Sequence, residues 1–459
     1  MPTSSSPPSP EKKSIVIVGG GIIGSTTAYY LTRHPQYDPT RHQITLLEAT
    51  GIASGASGKA GGLLALWAYP SCLVPLSFRL HEELAAEHGG ETRWGYRRVG
   101  VGSVDLVGRK LGRSSSGKKG KVSNGNGQGG DIRGIHRADV ASDGNVEMKD
   151  SNDDAHVSLQ KRSADSYARL RKMGLPDDLD WVHEDTVRGY EAMGGPEDTA
   201  QVHPYQFTTS MAELAAEKGV DIVLGSVTKI AADPSGGGGH RVTYTPKKDS
   251  KTPDSSSSSS EQTISATDVI VTAGPWTNTI LPQAPISALR AHSVTIRPTR
   301  PVSAYCLFTS LQLPKNFHTG GHSSPSIVTP EIYARPNNEL YACGEGDHLV
   351  KLPKSTADVE VDDSRCQDIV DYCASFSDEM RDGEVLVRQA CYLPQVESAV
   401  VAGPLVGPTS MKGVWVAAGH TCWGIQNGPA TGKIMSEFVF DGKCESAKVA
   451  SLDPRKAMK

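Results

Sequence analysis

The sequence predicts an α/β protein of two domains, one built on a parallel sheet with crossover helices and the other on a mixed or antiparallel sheet. Residues 14–18 form a short apolar segment that ends at three consecutive glycines. Helical periodicity over 22–33 and a second apolar segment at 43–48 follow, which is the pattern of a β-α-β unit. Residues 286–385 instead contain segments in which apolar and polar side chains alternate, such as 293–297, as they do in antiparallel strands.

The composition excludes several classes of protein. The chain of 459 residues is too long for one simple core, and its net charge of −4 gives no basic surface for nucleic acid. No segment approaches the roughly 20 apolar residues of a membrane helix, and the Ser/Pro-rich N-terminus lacks the apolar region of a secretory signal. The eight cysteines include no CxxC pair, so we expect reduced thiols, no metal site and a cytoplasmic location.

Later segments follow the same two patterns. Periodicity predicts, in chain order, helices over 76–88 and 207–218 and strands over 220–224, 267–273 and 414–418. After the last of these strands we predict a loop over 419–428 and a helix over 429–440, because Pro429 is well placed in a first helical turn.

The glycines after the first strand form the most specific motif. Gly19, Gly21 and Gly24 give the spacing G-x-G-x-x-G between a strand and a helix. The first permits a tight turn, the second lets the backbone approach a pyrophosphate, and the third lets helix and strand pack closely. Amides at the start of the helix, at Ile22 and Ile23, would then face the phosphates. The motif predicts a Rossmann-like dinucleotide-binding domain, with a turn in some other α/β protein as the alternative.

An acidic residue stands where a dinucleotide ribose would need it. Glu48 ends the second apolar segment, 24 residues after Gly24, and its carboxylate can accept hydrogen bonds from ribose hydroxyls. The same charge disfavours NADP, because a 2′-phosphate would meet a like charge. The glycines alone do not separate NAD from FAD.

Three later segments resemble one family. They are GASGKAGGLLA at 55–65, DVIVTAGPWT at 268–277 and GHTCWGIQNGPATG at 419–432. Together they resemble the D-amino-acid-oxidase-like (DAO) superfamily of FAD-dependent oxidoreductases, which includes glycine, sarcosine and fructosyl-amino-acid oxidases. The likeness is strongest to a group of fungal FAD-dependent oxidoreductases without an assigned substrate, and it covers nearly the whole chain apart from the polar insertions and the termini.

The resemblance implies FAD as the cofactor and an FAD domain of the glutathione-reductase type, with a substrate domain on a mixed or antiparallel sheet. The residues that it implies at the cofactor are Ser57, Gly58, Lys59, Ala60, Gly61, Gly62, Leu63, Val227, Ala273, Gly274, Trp276, Gly419, Gly424, Ile425 and Gln426. Val227 would contact adenine through its backbone. The amides of the 424–428 loop would stabilise negative charge on the reduced flavin. Ordinary turn chemistry is the alternative for each glycine loop.

Cys391 is a further cofactor candidate. Sarcosine-oxidase-like relatives carry a flavin-linking cysteine in a similarly placed strand, but the Thr-x-x-Pro-Asp that usually follows is reduced here to Pro394-Gln395. A covalent flavin at Cys391 is therefore a hypothesis beside that of a buried packing thiol. Mass spectrometry of the denatured protein separates the two.

The resemblance also implies the domain boundaries and the reaction site. We predict an FAD domain from residues 12–95, 196–285 and 386–445, a substrate domain from 96–195 and 286–385, and disordered insertions at 111–130 and 234–261, where Gly, Ser and Lys dominate. Three residues are candidates for catalysis. His292 would face the flavin, Arg335 would hold a substrate carboxylate, and Trp423 would form an aromatic wall. A structural histidine, a surface ion pair and core packing are the respective alternatives.

The predicted activity is oxidation of a CH–NH bond in a small amine or amino acid. Hydride passes to the flavin, which oxygen or another acceptor reoxidises. The alternative is a flavin-binding protein with a sorting or regulatory role and little turnover. We expect a small-molecule substrate, no nucleic acid and no stable membrane insertion, and the oligomeric state is left open. An endosomal association, as in similar fungal proteins, is the alternative to a purely cytoplasmic location.

Overall fold

The computed structural model describes residues 12–111, 172–234, 238–247, 260–317 and 327–458, and the strands of these residues form two large sheets and one small sheet. The strands are, in chain order, β1 (Lys13–Val18), β2 (His42–Glu48), β3 (Leu63–Ala65), β4 (Arg97–Arg98), β5 (Gly100–Val107), β6 (Val187–Gly194), β7 (Thr199–Gln201), β8 (Val220–Ala232), β9 (His240–Pro246), β10 (Gln262–Ala266), β11 (Asp268–Val271), β12 (Ile286–Arg297), β13 (Tyr305–Gln312), β14 (Ile327–Val328), β15 (Glu331–Arg335), β16 (Glu339–Cys343), β17 (Glu384–Val396), β18 (Leu405–Pro408) and β19 (Val414–Ala418). The α-helices are α1 (Ile22–Leu31), α2 (Val74–His88), α3 (Gly90–Trp94), α4 (Pro204–Ala216), α5 (Thr277–Ile280), α6 (Asp363–Phe376), α7 (Asp378–Arg381) and α8 (Gly424–Asp441).

The first sheet has the order β10-β9-β8-β2-β1-β11-β19-β18. Its five central strands, from β8 to β19, pair in parallel, and antiparallel strands close both ends. Helix α1 packs against α4 and α8. The central strand β1 is buried on both faces, with Ile15 and Ile17 in one apolar cluster and Val16 and Val18 in another. A near-continuous apolar sequence is therefore what this strand requires.

The second sheet has the order β17-β12-β16-β15-β13-β5-β6, and β14 pairs with β13. It is mixed, because β5 and β13 pair in parallel and the other neighbours pair antiparallel. Helix α6 packs against it, burying Cys366, Ile369 and Phe376 beside Val294 and Ile296. The predicted α/β class, with a Rossmann-like sheet and a mixed second sheet, is confirmed.

Strand β17 belongs to the second sheet. We placed residues 386–445 in the FAD domain, but β17 pairs with β12 in the second sheet from Ile286↔Val396 to Arg297↔Glu384. Pairing between strands so distant in sequence leaves no local pattern. The domain ranges themselves stay a prediction.

Part of each predicted insertion lies outside the described residues. Of the first, 112–130 is not described. Of the second, 235–237 and 248–259 are not described, whereas 240–246 form β9, paired with β8 and β10. The range 234–261 is therefore not a loop throughout.

The helix predicted to begin at Pro429 begins at Gly424, so the predicted loop over 419–428 was too long. Pro429 lies inside α8, where it cannot donate to the carbonyl of Ile425. Helix α2 supplies the missing partners: His81 Nε2 donates to Ile425 O over 2.9 Å, and Ser77 Oγ accepts from the amide of Ala430 over 3.1 Å. Tertiary hydrogen bonds thus keep the helix continuous through its proline.

Among the described residues, no helix combines the length and apolar character needed to cross a membrane.

Candidate cofactor and active site

A cavity of about 390 Å³ lies where the first sheet meets the second. Its walls include the ends of β1 and β2, the segment between β2 and β3, and the start of α8. The opposite wall comes from β12, β13, β15, β16 and β17 of the second sheet. Both sheets must therefore be assembled before the cavity exists.

The glycine motif shapes one end of this cavity. Gly19 turns the chain at φ +111°, and a Cβ on Gly24 would lie 1.9 Å from the carbonyl oxygen of Gly19. Gly21 is the N-cap of α1 without a capping side chain, and the amide of Ile22 donates to Ser57 Oγ over 2.9 Å. Gly19, Gly21, Ile22 and Ile23 line the cavity. The backbone here is a cradle that added side chains would fill, which fits a diphosphate.

Glu48 lines the same end, at the end of β2. Its Oε2 accepts from the amide of Gly20 over 2.7 Å, and its Oε1 accepts from the amide of Thr50 over 2.9 Å. A carboxylate can accept about four hydrogen bonds, so Glu48 retains capacity for ribose hydroxyls.

The segment before β3 forms a second glycine-rich wall. Ser57, Lys59, Ala60, Gly61, Gly62 and Leu63 line the cavity. Gly58 lies behind them, where a Cβ would be 2.2 Å from the carbonyl oxygen of Ala53. Gly62 has φ +96°, and a Cβ there would be 2.1 Å from the carbonyl oxygen of Val202. The loop can follow this path only because both positions are glycine.

The other predicted cofactor residues divide into two groups. Val227, Ala273, Gly274, Trp276, Gly419, Gly424, Ile425 and Cys391 line the cavity. Gln426 does not: it is fully buried, and its Oε1 accepts from the amide of Ala65 over 2.7 Å. Helix α8 has no acidic side chain in its first turn, so its amide end can stabilise negative charge in the cavity.

His420 lies beside that helix end, in the 419–432 segment that resembles the family. It lines the cavity and is bonded to Thr431 Oγ1 over 3.1 Å. Burial lowers the pKa of its imidazole to about 3. His420 is therefore a neutral group at this wall.

Comparison with known proteins decides the family. The family model of FAD-dependent oxidoreductases (DAO) matches residues 14–438. The chain belongs to this family. As an FAD-dependent oxidoreductase it is an enzyme whose cofactor is FAD, and the glycine cradle, Glu48 and the amide end of α8 are the residues that fit this group.

Two fungal proteins are similar over almost their whole length. "Putative oxidoreductase TDA3" of Saccharomyces cerevisiae is 36% identical, covering 94% of this chain and 92% of its own. "Putative oxidoreductase C1F5.03c" of Schizosaccharomyces pombe is 32% identical, covering 94% and 95%.

Solved structures share the fold. Glycine oxidase from Bacillus cereus superposes with a TM-score of 0.60 at 18% identity, covering 95% of this chain and 96% of its own. L-proline dehydrogenase from P. horikoshii superposes with a TM-score of 0.60 at 14% identity, covering 97% and 98%. At these identities the comparison shows the oxidoreductase fold alone.

His292 does not line the cavity. Leu289 and Ala291 of β12 line it, and successive side chains of a strand point to opposite faces. His292 is buried on the other side, where its Nε2 accepts from the amide of Asp362 over 3.1 Å. Burial, and then the nearby Arg290, lower its pKa. This placement is that of a structural histidine.

Arg335 lies under the cofactor loop. Its guanidinium pairs with Glu339 at 2.7 Å and donates to the carbonyl oxygens of Ala60 and Gly61. It does not line the cavity, and its side chain is 3% exposed. The neighbours on β15, Glu331 and Tyr333, do line the cavity, whereas the loop covers Arg335. No carboxylate of a substrate can reach it in this arrangement.

Trp423 lines the cavity, as predicted for an aromatic wall. Its ring contacts Trp67 edge-on with centroids 5.6 Å apart, and Tyr69 with centroids 5.9 Å apart. Trp67 also contacts Phe308, which lines the cavity too. Trp423 is thus part of an aromatic group that begins in the cavity and ends at the exposed rings of Trp67 and Tyr69.

Cys391 faces the cavity but is a poor nucleophile in its present state. Burial raises the pKa of its thiol to about 11, which the charge of Lys59 reduces only in part. The thiolate is the reactive form, so a covalent flavin at Cys391 stays a hypothesis.

Glu331 is the residue that sequence analysis missed. It lines the cavity beside Tyr333, whose hydroxyl donates to its Oε2 over 2.5 Å. The signal available in the sequence was a carboxylate at the start of an alternating apolar strand, two residues before Tyr333.

Proposed function

We propose that the enzyme oxidises a CH–NH bond of a small amine or amino acid and passes the hydride to FAD, with oxygen or another acceptor completing the cycle. The main support is the cavity, which joins a dinucleotide cradle to an aromatic-walled space on the second sheet. Glycine oxidase, iminodiacetate oxidase and L-proline dehydrogenase share the fold, and their names describe substrates with a CH–NH bond.

The chain's residues have distinct tasks in this reaction. FAD, when bound, supplies the hydride acceptor. The amides at the start of α8 stabilise the negative charge that develops, and the buried neutral His420 adds no competing charge there. Phe308, Tyr333 and Trp423 form an apolar wall that excludes water from the reacting carbon.

Anaerobic incubation of the purified yellow protein with a panel of amines and amino acids tests this proposal. We expect the visible absorbance of oxidised flavin to disappear with at least one member of the panel. Readmitting air and measuring hydrogen peroxide then separates an oxidase from a dehydrogenase. Absence of bleaching throughout a broad panel contradicts the proposal and favours a flavin-binding protein with a sorting or regulatory role.

We further propose a cytoplasmic location, with association with endosomes as the alternative. The support is that all eight cysteines are free thiols, as expected in a reducing compartment. Fractionation of cells that express the full chain checks it: recovery in the membrane pellet rather than the supernatant would overturn it.

A further inference from the structure

Glu331 is a carboxylate that lines the cavity and has no cationic partner among the described residues. Its only hydrogen-bond donors in the described part of the chain are the hydroxyl of Tyr333 and, at 3.9 Å, the thiol of Cys343, and both reach Oε2. Oε1 receives no hydrogen bond, and no Lys, Arg or His of the described residues lies within 4.0 Å. Burial raises the pKa of Glu331, against the lowering effect of the two donors. A half-buried carboxylate in a cavity, without a cationic partner, is a candidate for a binding or catalytic role.

Aromatic rings surround the space that Glu331 faces. Phe308, Tyr333 and Trp423 line the cavity with it. Trp67 stands behind Phe308 and Trp423, at centroid distances of 6.1 and 5.6 Å. Ring faces carry partial negative charge and attract cations, so the rings and the carboxylate favour the same ligand charge.

The cavity offers no guanidinium for a carboxylate. No arginine lines it among the described residues. Arg335 is bound to Glu339 and the cofactor loop, and Arg97 donates to Gln201 and to the carbonyl oxygen of Ala334. Lys59 and Lys354 line the cavity. The Nζ of Lys59 donates to the carbonyl oxygen of Ala390, and burial lowers its pKa. Lys354 forms no ion pair with Glu331, and it lies two residues before Thr356, whose hydroxyl is hydrogen-bonded to Ser54 of the cofactor loop over 2.9 Å. A substrate carboxylate near Glu331 would meet a like charge instead of a bidentate partner.

We propose that Glu331, Phe308, Tyr333 and Trp423 form a subsite for the ammonium group of a cationic amine, so that the substrate is an amine without a carboxylate beside its reacting nitrogen rather than an α-amino acid. This inference rests on the proposed function. Glu331 binds the ammonium group and then accepts one of its protons: an N–H bond breaks, an O–H bond forms on the carboxylate, and the nitrogen keeps the electron pair. The free amine is the form from which hydride can leave the neighbouring carbon.

Matched ligands test the subsite on the FAD-bound protein. Benzylamine is compared with phenylglycine, which adds a carboxylate, and with benzyl alcohol, which removes the charge. Anaerobic titration follows the perturbation of the flavin spectrum as a measure of Kd, and bleaching is recorded separately. We expect benzylamine to bind at least about tenfold more tightly than phenylglycine, because the latter brings a like charge.

Two variants and a control identify the residues. Glu331→Gln keeps the shape and removes the charge, and we expect the Kd of benzylamine to rise by about tenfold to a hundredfold while that of benzyl alcohol stays unchanged. Phe308→Leu, which keeps apolar volume and removes the ring, should weaken benzylamine more than benzyl alcohol. Glu345→Gln changes an exposed carboxylate outside the cavity and should alter neither. Flavin content and melting temperature establish that each variant is folded.

The outcomes separate this inference from the proposed function. Bleaching by phenylglycine or other amino acids as readily as by amines, or unchanged benzylamine binding in Glu331→Gln, overturns the inference and leaves the proposed function standing. Charge-dependent binding of benzylamine without bleaching by any amine supports the subsite and contradicts the proposed function. Failure of every ligand to bind or bleach overturns both.

Discussion

At the scale of the residue, the cofactor site depends more on glycines than on charged side chains. Gly24→Ala would place a Cβ 1.9 Å from the carbonyl oxygen of Gly19 and 2.8 Å from Thr272 Oγ1. Since the first of these is backbone, β1 and α1 must separate. We expect the ratio of flavin to protein to fall at least tenfold and the free energy of unfolding to fall by about 1–3 kcal/mol. Absorbance spectroscopy and urea unfolding measure the two quantities.

Gly51→Ala is the matched control for Gly24→Ala. No atom lies within 4 Å of a Cβ at this position, which is also in the cofactor loop region. Its flavin content and unfolding free energy should equal those of the wild-type protein. Full flavin content in Gly24→Ala would show that the close contact is not required.

The sequence predicts the position of a site residue where that position depends only on the local course of the backbone. Gly19, Gly21 and Glu48 follow from the order strand, turn, helix, strand, and they line the cavity. The placements of His292 and Arg335 depend on which face of a strand is covered and by which distant loop. Glu331 was missed for the same reason, because its isolation from cations is visible only when the second sheet is assembled.

At the scale of the element, α8 depends on α2 for its continuity. Burial lowers the pKa of His81 to about 4, against its hydrogen bonds to Ile425 and Gln426, and lowers that of His420 to about 3. Both are neutral in the fold, whereas the unfolded chain binds protons below a pKa of about 6.5. Stability is therefore complete above that pH and is lost as the pH falls. At pH 5 each histidine costs about 2 kcal/mol.

His81→Gln tests this dependence. Glutamine keeps a donor for the carbonyl oxygen of Ile425 and does not titrate. Urea unfolding at pH 7 and pH 5 should show that the variant loses about 2 kcal/mol less than the wild type between the two. An identical loss in both proteins would mean that the pKa of His81 does not differ between the folded and unfolded states.

The boundaries of α8 show what a local pattern leaves out. Pro429 was taken as a first-turn residue because a proline inside a helix removes a hydrogen bond. Ser77 and His81 compensate from a helix about 350 residues earlier in the chain. The strand β19, by contrast, has the predicted bounds, since its apolar run is bracketed by Gly413 and Gly419.

At the scale of the whole molecule, the cavity that fits the cofactor lies where two sheets supply opposite walls. A ligand that binds only the folded state stabilises that state. For FAD present at a hundred times its Kd, the free energy of unfolding rises by about 2.7 kcal/mol. We expect removal of FAD to lower the Tm by roughly 3 °C or more, and added FAD to restore it. Thermal unfolding of the holoprotein, the depleted protein and the reconstituted protein measures this effect.

FMN serves as the control ligand for the depleted protein. It has the flavin and one phosphate but lacks the AMP portion of FAD, and so the complete diphosphate and the adenosine ribose that the glycine cradle and Glu48 fit. It should restore little of the lost stability. Equal stabilisation by FMN and FAD would contradict the assignment of the cradle to the diphosphate.

The assembly of the two sheets is the part of the fold that the sequence revealed least. Alternating patterns indicated a mixed or antiparallel sheet in 286–385, and the structure has one. The parallel pairing of β5 with β13 joins segments about 200 residues apart, and β17 joins β12 across another hundred. Such partners are selected by packing of whole faces, which a window of ten or twenty residues does not contain.

Hydrogen bonds connect the entrance of the cavity to the N-terminal end of α8. Asn427 Nδ2 donates to the carbonyl oxygen of Tyr69, at the exposed rim, over 2.9 Å. Ser77 and His81, which make the bonds to Ala430 and Ile425, follow Tyr69 in the chain and lie about one turn apart on α2. A substitution that widens the entrance for a larger molecule would thus also shift the amides that we propose to stabilise negative charge on the flavin. We therefore expect changes in substrate selectivity to be accompanied by changes in redox potential. Changing one property alone will require substitutions both in α8 and in the segment that carries Tyr69, Ser77 and His81.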